Sequence, residues 1–318
     1  MERVDSLSWG GFSLTLPCFF PSISSVKTNL SPLQYLQILM ALDHPLFLIS
    51  TYDVYHAKPD QQERIVRLLQ EARDESRIVL IDSGNYECYW HHNESWDIEK
   101  FITTLSMIDG SVSFSFDLPL IQDSTHLISS KTVEMVMDNQ AQVKEKTIAP
   151  IVHGPTELLP EIISEVARRL YPLIIAVPER ELGHGIIQRA QTVKAIRHRL
   201  NELGVYFPLH LLGTGNPLSI LVYSLCGADS FDGLEWCQTT VNYDNALLYH
   251  FQQREFFRNQ SPFAAESNLP YGLATLVHNL HFYGTWIKDL QEAISSETAM
   301  EFAEKYLPKY FPKELLSH

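Results

Sequence analysis

The chain has little of several things that would each have pointed to a class. Its 318 residues include four cysteines, Cys18, Cys88, Cys226 and Cys237, set far apart with no Cys-x-x-Cys pair. That spacing argues against a disulfide-stapled secreted scaffold and reads as the reduced thiols of a cytoplasmic protein. Charged side chains make up 19% of the residues, and cations are the scarcer kind: 24 Lys and Arg against 38 Asp and Glu, a net charge of −14. A field of that sign repels polyanions, so a nucleic-acid partner has to meet a local basic patch, and its binding should weaken as salt rises. No apolar run reaches about 18 residues, and Pro17 and Pro21 interrupt the apolar stretch near the N-terminus, so neither a membrane span nor a signal peptide is expected. Repeats, low-complexity tracts and linkers are missing too, which leaves one domain over 1–318 as the expectation.

What is present is a chain 45% apolar, enough for a large core. Short runs rich in β-branched residues recur at the βα-unit interval: Ser22–Lys27, the weakest, then Leu46–Ser50, Ile78–Asp82, Val112–Asp117, Ile148–His153, Leu173–Val177, Leu209–Leu212 and Ser230–Leu234. Helical periodicity fills the intervals, as in Gln61–Glu75, Leu158–Leu170 and Ile186–Leu203. Eight alternations of this kind predict an α/β fold, a (β/α)8 TIM barrel, with a doubly wound open sheet as the alternative. Residues 1–21 are then an N-terminal extension. Residues 243–318 are expected to be helices only, about Asn245–Arg258 and Tyr271–Ile294, followed by a short Lys-bearing tail.

The polar residues favour the barrel. Asp82, Asp117 and His153 end strands, Glu179 lies just past one, and Asp232 sits within the last. A barrel gathers such ends into one mouth, whereas an open sheet spreads them along an edge. In Ile81-Asp82-Ser83-Gly84-Asn85-Tyr86, an Asp in a tight turn can have its proton affinity tuned by backbone N–H groups. A lone Asp-Ser-Gly describes a helix-capping Asp at least as well. Asp117, closing Val112–Phe116 and followed by Pro119, suits the side-by-side N–H donors of a guanine, or equally a ribose or a metal. Asp232, among apolar neighbours, is a candidate nucleophile for an anomeric carbon.

Taken in order, the blocks resemble the tRNA-guanine transglycosylase family, whose members exchange guanine for a 7-deazaguanine base. Leu48-Ile49-Ser50-Thr51-Tyr52 is similar to the family's L-G-N-T-Y, residues 81–86 to T-D-S-G-G-[FY], and Phe114–Asp117 to its F-D block. Ile151-Val152-His153-Gly154 stands for I-V-Q-G, Ile175-Ala176-Val177-Pro178-Glu179 for L-A-V-G-E, and Leu211–Gly215 for L-M-G-V-G. Asp229–Asp232 resembles D-M-F-D, and Val277-His278-Asn279-Leu280-His281-Phe282-Tyr283 resembles I-H-N-L-x-F-Y. The resemblance spans about Val26 to Ile294 and implies a pentosyltransferase in which Asp232 attacks C1′ and Asp82 is the general acid/base. Asp117, His153, Tyr86, Leu212, Gly213, Ile175, Glu179 and Ser50 would line the base site. Tyr86 and Leu212 would sandwich the ring, Gly213 would let backbone approach, and the target base would be flipped or single-stranded.

The departures from the family are as informative. Its zinc is held by three cysteines and the histidine of H-N-L, but here no cysteine follows Cys237. Zinc is therefore not expected, no cofactor is expected at all, and His278 reads as a packed, hydrogen-bonded residue. The Arg-bearing loop after F-D is replaced by Glu235-Trp236-Cys237-Gln238, in which Trp236 is either core or a base-stacking ring. His153 replaces a glutamine and could donate to O6 or N7 of the base. Ile174 and Pro178 should stiffen the wall facing the base's 7-substituent. Glu179 either pairs with a cationic substituent or merely with Arg180 or solvent. His91-His92 reads as surface, and Lys194, Arg197 and Arg199 as a solvated helix face that is also the best local basic patch.

The resulting expectation is base exchange on nucleic acid, tRNA by family frequency and DNA by the departures, with a free 7-deazaguanine as co-substrate. A hydrolase releasing a modified base, and a non-catalytic partner subunit of an active homologue, are the alternatives. Either a homodimer or a heteromeric assembly is compatible with the sequence.

Overall fold

A computed structural model describes residues 3–117, 124–265 and 268–316. Leu118 and Pro119, which follow the Asp117 block, lie outside them. Two strands, β1 (Ser6–Trp9) and β2 (Phe12–Thr15), form an antiparallel hairpin. Then come the eight barrel strands: β3 (Cys18–Ile23), β4 (Leu46–Ser50), β5 (Ile78–Asp82), β6 (Val112–Phe114), β7 (Ile148–Ala149), β8 (Ile175–Pro178), β9 (Leu209–Leu212) and β10 (Ser230–Gly233). All their pairings are parallel, in the order β7-β6-β5-β4-β3-β10-β9-β8. A parallel bridge from Ile151 to Ala176 joins the two ends. This is the expected (β/α)8 barrel.

Side chains alternate in and out along each strand, and that period of two sorts the sequence into layers. The inward set Cys18, Phe20, Leu48, Ile78, Leu80, Val112, Phe114, Ala149 and Ala176 packs the interior. Its alternates, among them Phe19, Ile49, Val79, Ile81, Ile175, Val177, Leu209 and Phe231, pack outward against the helices. Continuing the inward parity toward the C-terminal ends gives Ser22, Ser50, Asp82 and Asp232. The apolar steps thus form the floor of the barrel and the polar steps its mouth.

Three expectations need correction. The first barrel strand is Cys18–Ile23, not Ser22–Lys27, so residues 18–21 belong to the barrel rather than to an N-terminal extension. Pro21 is tolerated because it falls where pairing passes from β10, which covers Cys18–Pro21, to β4, which pairs with Ser22 and Ile23. The preceding hairpin plugs the floor: Leu14 and Leu16 are buried with Cys18 and Ile78, and Trp9 Nε1 donates to Ser111 O at 3.3 Å.

The second correction concerns Asn245–Arg258, which is not a helix. Strand β11 (Thr239–Val241) pairs antiparallel with β12 (Leu248–His250), and a 3₁₀ segment covers Phe251–Phe257. The Asn242 and Asn245 side chains accept from Asp244 N and Leu247 N at 2.9 and 3.1 Å, which turns the chain into a hairpin. Third, Lys194, Arg197 and Arg199 do not form a patch. Arg197 is buried, bonded to Gly227 O, Phe207 O and the Asp229 carboxylate. Lys194 Nζ reaches Leu315 O, and Arg199 pairs with Glu202.

The helix Tyr271–Ser295 holds the segment after Asp232 in place. Asn279 Nδ2 donates to Trp236 O and Thr239 O, and its Oδ1 accepts from Val241 N. Tyr283 OH donates to Gly215 O at 2.6 Å while its ring stacks on Phe19 at 4.4 Å. The His-Asn-Leu-x-Phe-Tyr block is thus a clamp that satisfies otherwise unpaired backbone groups. Among the described residues, no helix is long and apolar enough to cross a membrane.

Candidate active site

Asp232 ends the inward row of β10 and is 6% exposed. Ser22 Oγ donates to its Oδ2 at 2.6 Å and Gly213 N to its Oδ1 at 3.1 Å. The Gly213 amide is aimed there by a left-handed backbone, φ 75°. His210 Nε2 also lies 3.1 Å from Oδ1, and its Nδ1 lies 2.7 Å from Ser230 Oγ. His210 is fully buried under the nucleophile candidate, with Phe114 5.1 Å away. These contacts fix the carboxylate's orientation without an Arg or Lys to quench it.

Asp82 is the last residue of β5. Its Oδ2 accepts from Gly84 N at 3.0 Å. Gly84 itself, at φ 88°, begins the helix Asn85–Trp90, and a Cβ there would lie 2.5 Å from Tyr52 Cβ, so only glycine makes this turn. Burial, and then the negative charges of Glu87, Asp117 and Asp232, push the Asp82 carboxyl well above the usual carboxylate range. The acid is therefore poised to hold a proton in the same mouth as Asp232. Glu87, 3% exposed, takes a hydrogen bond from Ser24 Oγ at 2.5 Å, and burial and Asp53 push it up to about 8. Asp53 accepts from Ser25 N at 2.9 Å and is raised by burial to about 6. Ser50, expected in the base site, is instead buried as a helix cap whose Oγ accepts from Tyr52 N.

Beside Asp82, past the end of the neighbouring strand β6, Asp117 Oδ1 accepts from Ser83 Oγ at 2.5 Å and Asn85 Nδ2 at 2.9 Å. Its Oδ2 accepts from His153 Nε2 at 2.7 Å, and His153 Nδ1 donates to Glu181 Oε1 at 2.6 Å. Burial alone would lower the histidine, but these two carboxylates raise it to about 9, so it is an imidazolium at neutral pH. Burial opposes ionisation of Asp117 as well, yet His153, Ser83 and Asn85 hold it below the usual range. Both His153 N–H groups are committed, so the expectation that it donates to O6 or N7 of a base does not hold in this arrangement. With two bonds at Oδ1 and one at Oδ2, Asp117 keeps one lone-pair site, on Oδ2, for a base N–H.

Glu179 pairs with Arg189 rather than Arg180: Arg189 Nη1 lies 2.9 Å from Oε1, which also accepts from Tyr223 OH at 3.0 Å. The residue that turns to His153 is Glu181, two positions on in the 3₁₀ turn Glu179–Leu182. Ile175 does not line the mouth, being fully buried in the outward-facing core. Tyr86 is 37% exposed in the first turn of the helix Asn85–Trp90, two residues after the Gly84 amide that binds Asp82, which puts it at the mouth. Leu212 ends β9 half-buried at the same mouth. Trp236 is fully buried and donates to Ser22 O at 2.9 Å, so it is core and not a base-stacking ring. Glu235, beside it, is raised to about 7 by burial and then by Glu179 and Asp232.

His278 Nε2 lies 2.8 Å from Val241 O and Nδ1 2.7 Å from Ser261 Oγ. Among the described residues, no group of three or more His, Cys, Asp or Glu is placed to hold a metal, and all four cysteines are free. The residues around His278 do not fit a zinc.

No family model matches the chain. It is similar to three archaeal proteins named tRNA-guanine(15) transglycosylase. With that of Methanosphaera stadtmanae it shares 21% identity over 241 residues, 73% of this chain and 34% of the relative. With that of Thermococcus onnurineus the identity is 20% over 251 residues, 74% and 40% of the two chains. With that of Methanopyrus kandleri it is 20% over 243 residues, 74% and 51%. The chain is a distant relative of the tRNA-guanine transglycosylases. It spans about a third to a half of the length of these relatives. Asp53, Glu87, Glu181, His210 and Glu235 join the mouth although sequence reasoning singled out none of them for the site. For His210 the signal was available, because it shares its parity with Leu212 in β9. For Glu87 and Glu181 only the turn geometry decides which side chain faces in.

Proposed function

We propose that the protein is a nucleic-acid guanine transglycosylase, exchanging guanine for a 7-deazaguanine base by double displacement. The observation that supports this most is the pairing in one mouth of an oriented carboxylate, Asp232, with a proton-holding one, Asp82. In this reading Asp232 attacks C1′ of the target nucleotide, and the departing guanine takes the proton of Asp82. The incoming base then attacks C1′, Asp82 takes back a proton from its ring nitrogen, and Asp232 leaves. Asp117 accepts one N–H of the base's N1–H/N2–H edge at Oδ2, and Tyr86 covers its face. The names of the relatives favour tRNA as the polymer; the Glu235–Gln238 segment, without an Arg or Lys, favours DNA. No resident zinc takes part in this reading.

Labelled guanine incubated with the protein and either tRNA or DNA should enter one polymer; label in neither would sink exchange, and guanine release without incorporation would make the protein a hydrolase. Asp232→Ala should lower transfer on the order of 10⁴-fold or more and abolish any covalent protein–polymer adduct on a denaturing gel. Elemental analysis should find no stoichiometric zinc, and one zinc per chain would overturn the reading of His278.

A further inference from the structure

The helix Asn85–Trp90, which starts three residues after Asp82, carries three aromatic rings that the core does not use. Tyr86 is 37% exposed, Tyr89 69% and Trp90 41%. The other side of the helix is pinned. Glu87 is buried on Ser24, Cys88 Sγ donates to Asn93 O at 3.0 Å, and His91 lies 2.9 Å from Ser25 Oγ and stacks on Tyr52 at 5.8 Å. The rings therefore cannot turn inward without breaking those contacts, and they remain in water. Trp90 meets Tyr86 and Tyr89 edge to face at 6.4 and 5.5 Å. Lys27 Nζ, from the loop after β3, sits 3.5 Å over the Trp90 ring. Because Tyr86 is in the first turn of this helix, two residues after the Gly84 amide that donates to Asp82, the row of rings begins at the mouth.

We infer that this face is a stacking platform for the single-stranded nucleic acid flanking the target nucleotide, with neighbouring bases on Tyr89 and Trp90 and a phosphate on Lys27. The inference rests on the polymer-transfer reading and says how that polymer is held. A chain of net charge −14 cannot draw a polyanion by its overall field. Stacking is the sequence-tolerant source of affinity that remains, since every base has a π-face. The Lys27 ammonium over the Trp90 ring complements one phosphate without needing a basic patch. Continuity with the mouth selects a nucleic-acid strand as the occupant: a base delivered to Asp232 and Asp82 brings its neighbours over this helix.

The test uses fluorescence anisotropy with a labelled single strand of about 12 nucleotides, within the usual site size, as RNA and as DNA. Paired Tyr89→Ala and Trp90→Ala should weaken binding at least about tenfold and raise KM for the polymer by a similar factor. Paired Tyr89→Phe and Trp90→Phe, which keep the rings, should bind within about threefold of wild type, and Lys27→Ala should flatten the salt dependence by about one unit of slope. The thermal midpoint checks that each variant folds. If the Ala pair binds and transfers like wild type, the platform is wrong and the transfer reading stands. If wild type binds no single strand and transfers no label, both are wrong. If the Ala pair changes only the oligomeric state, the face belongs to a second copy of the chain and the inference is overturned.

Discussion

Around the ends of β4 and β5 Asp53, Asp82 and Glu87 crowd together; next to them, beyond the ends of β6, β7 and β8, Asp117, His153 and Glu181 stand in a row. Both groups are buried or half-buried, and burial penalises the charges in both. In the first group each carboxyl sees other carboxyls, so protons are retained, with Glu87 raised to about 8 and Asp53 to about 6. In the second, one imidazole between two carboxylates reverses the outcome: His153 is raised to about 9 and Asp117 is lowered. Desolvation sets the stakes, and the sign of the neighbour decides the protonation state. The like-charged side is suited to give and take protons, the alternating side to present fixed charges to a base.

The largest effect should come from disabling the proton-holding side. Asp82→Asn keeps the shape of the side chain but can neither give nor take the proton, and base exchange should fall about 10²- to 10⁴-fold. Labelled-guanine incorporation measures this, and a loss smaller than about threefold would mean that the crowded acids are not the proton source.

Much of this division was legible in the sequence, but unevenly. Seven of the eight barrel strands were found near their observed positions because alternation and β-branched residues mark them, and Asp82, Asp117 and Asp232 stand out as acids where apolar runs end. The first strand was displaced because Pro17 and Pro21 look like interruptions, and only the handover of pairing at Pro21 shows otherwise. The hairpin after Val241 was hidden because it depends on two Asn side chains capturing backbone amides, which periodicity does not register. The partners that set proton affinities were least legible. Glu181 was passed over for Glu179, since a 3₁₀ turn decides which of them meets His153. Arg197 read as a solvated cation because its partner Asp229 is 32 residues away.

The alternating side can be broken at its centre. His153→Gln removes the cation and leaves Asp117 and Glu181 buried without it, which should cost about 3–5 kcal/mol near pH 7 by urea denaturation. The histidine's affinity for a proton rises on folding, from an ordinary 6.5 to about 9. Its stabilising contribution is therefore whole below about pH 6.5 and is lost as pH rises through about 9. The stability gap between wild type and variant should shrink over that window, and a gap independent of pH would mean that His153 is neutral in the fold and the row carries no alternating charge.

Glu87→Gln should change base exchange least, and its effect on stability should have a sign opposite to the usual cost of deleting a buried acid. Glu87 is held near 8 against an ordinary 4.5, so at neutral pH it is mostly a neutral carboxylic acid and an amide of the same shape replaces it closely. Among the described residues its Oε2 has no hydrogen-bond partner, so no contact at that atom is lost. A group whose proton affinity rises on folding binds more protons in the native state between the two values, and native stability falls as pH climbs from about 4.5 to about 8. Glutamine has no such dependence. The thermal midpoint of the variant should therefore gain on that of wild type across this range and level off above it. A variant that instead loses ground as pH rises would show Glu87 ionised in the fold, and the contrast between the two groups would fail at its crowded end.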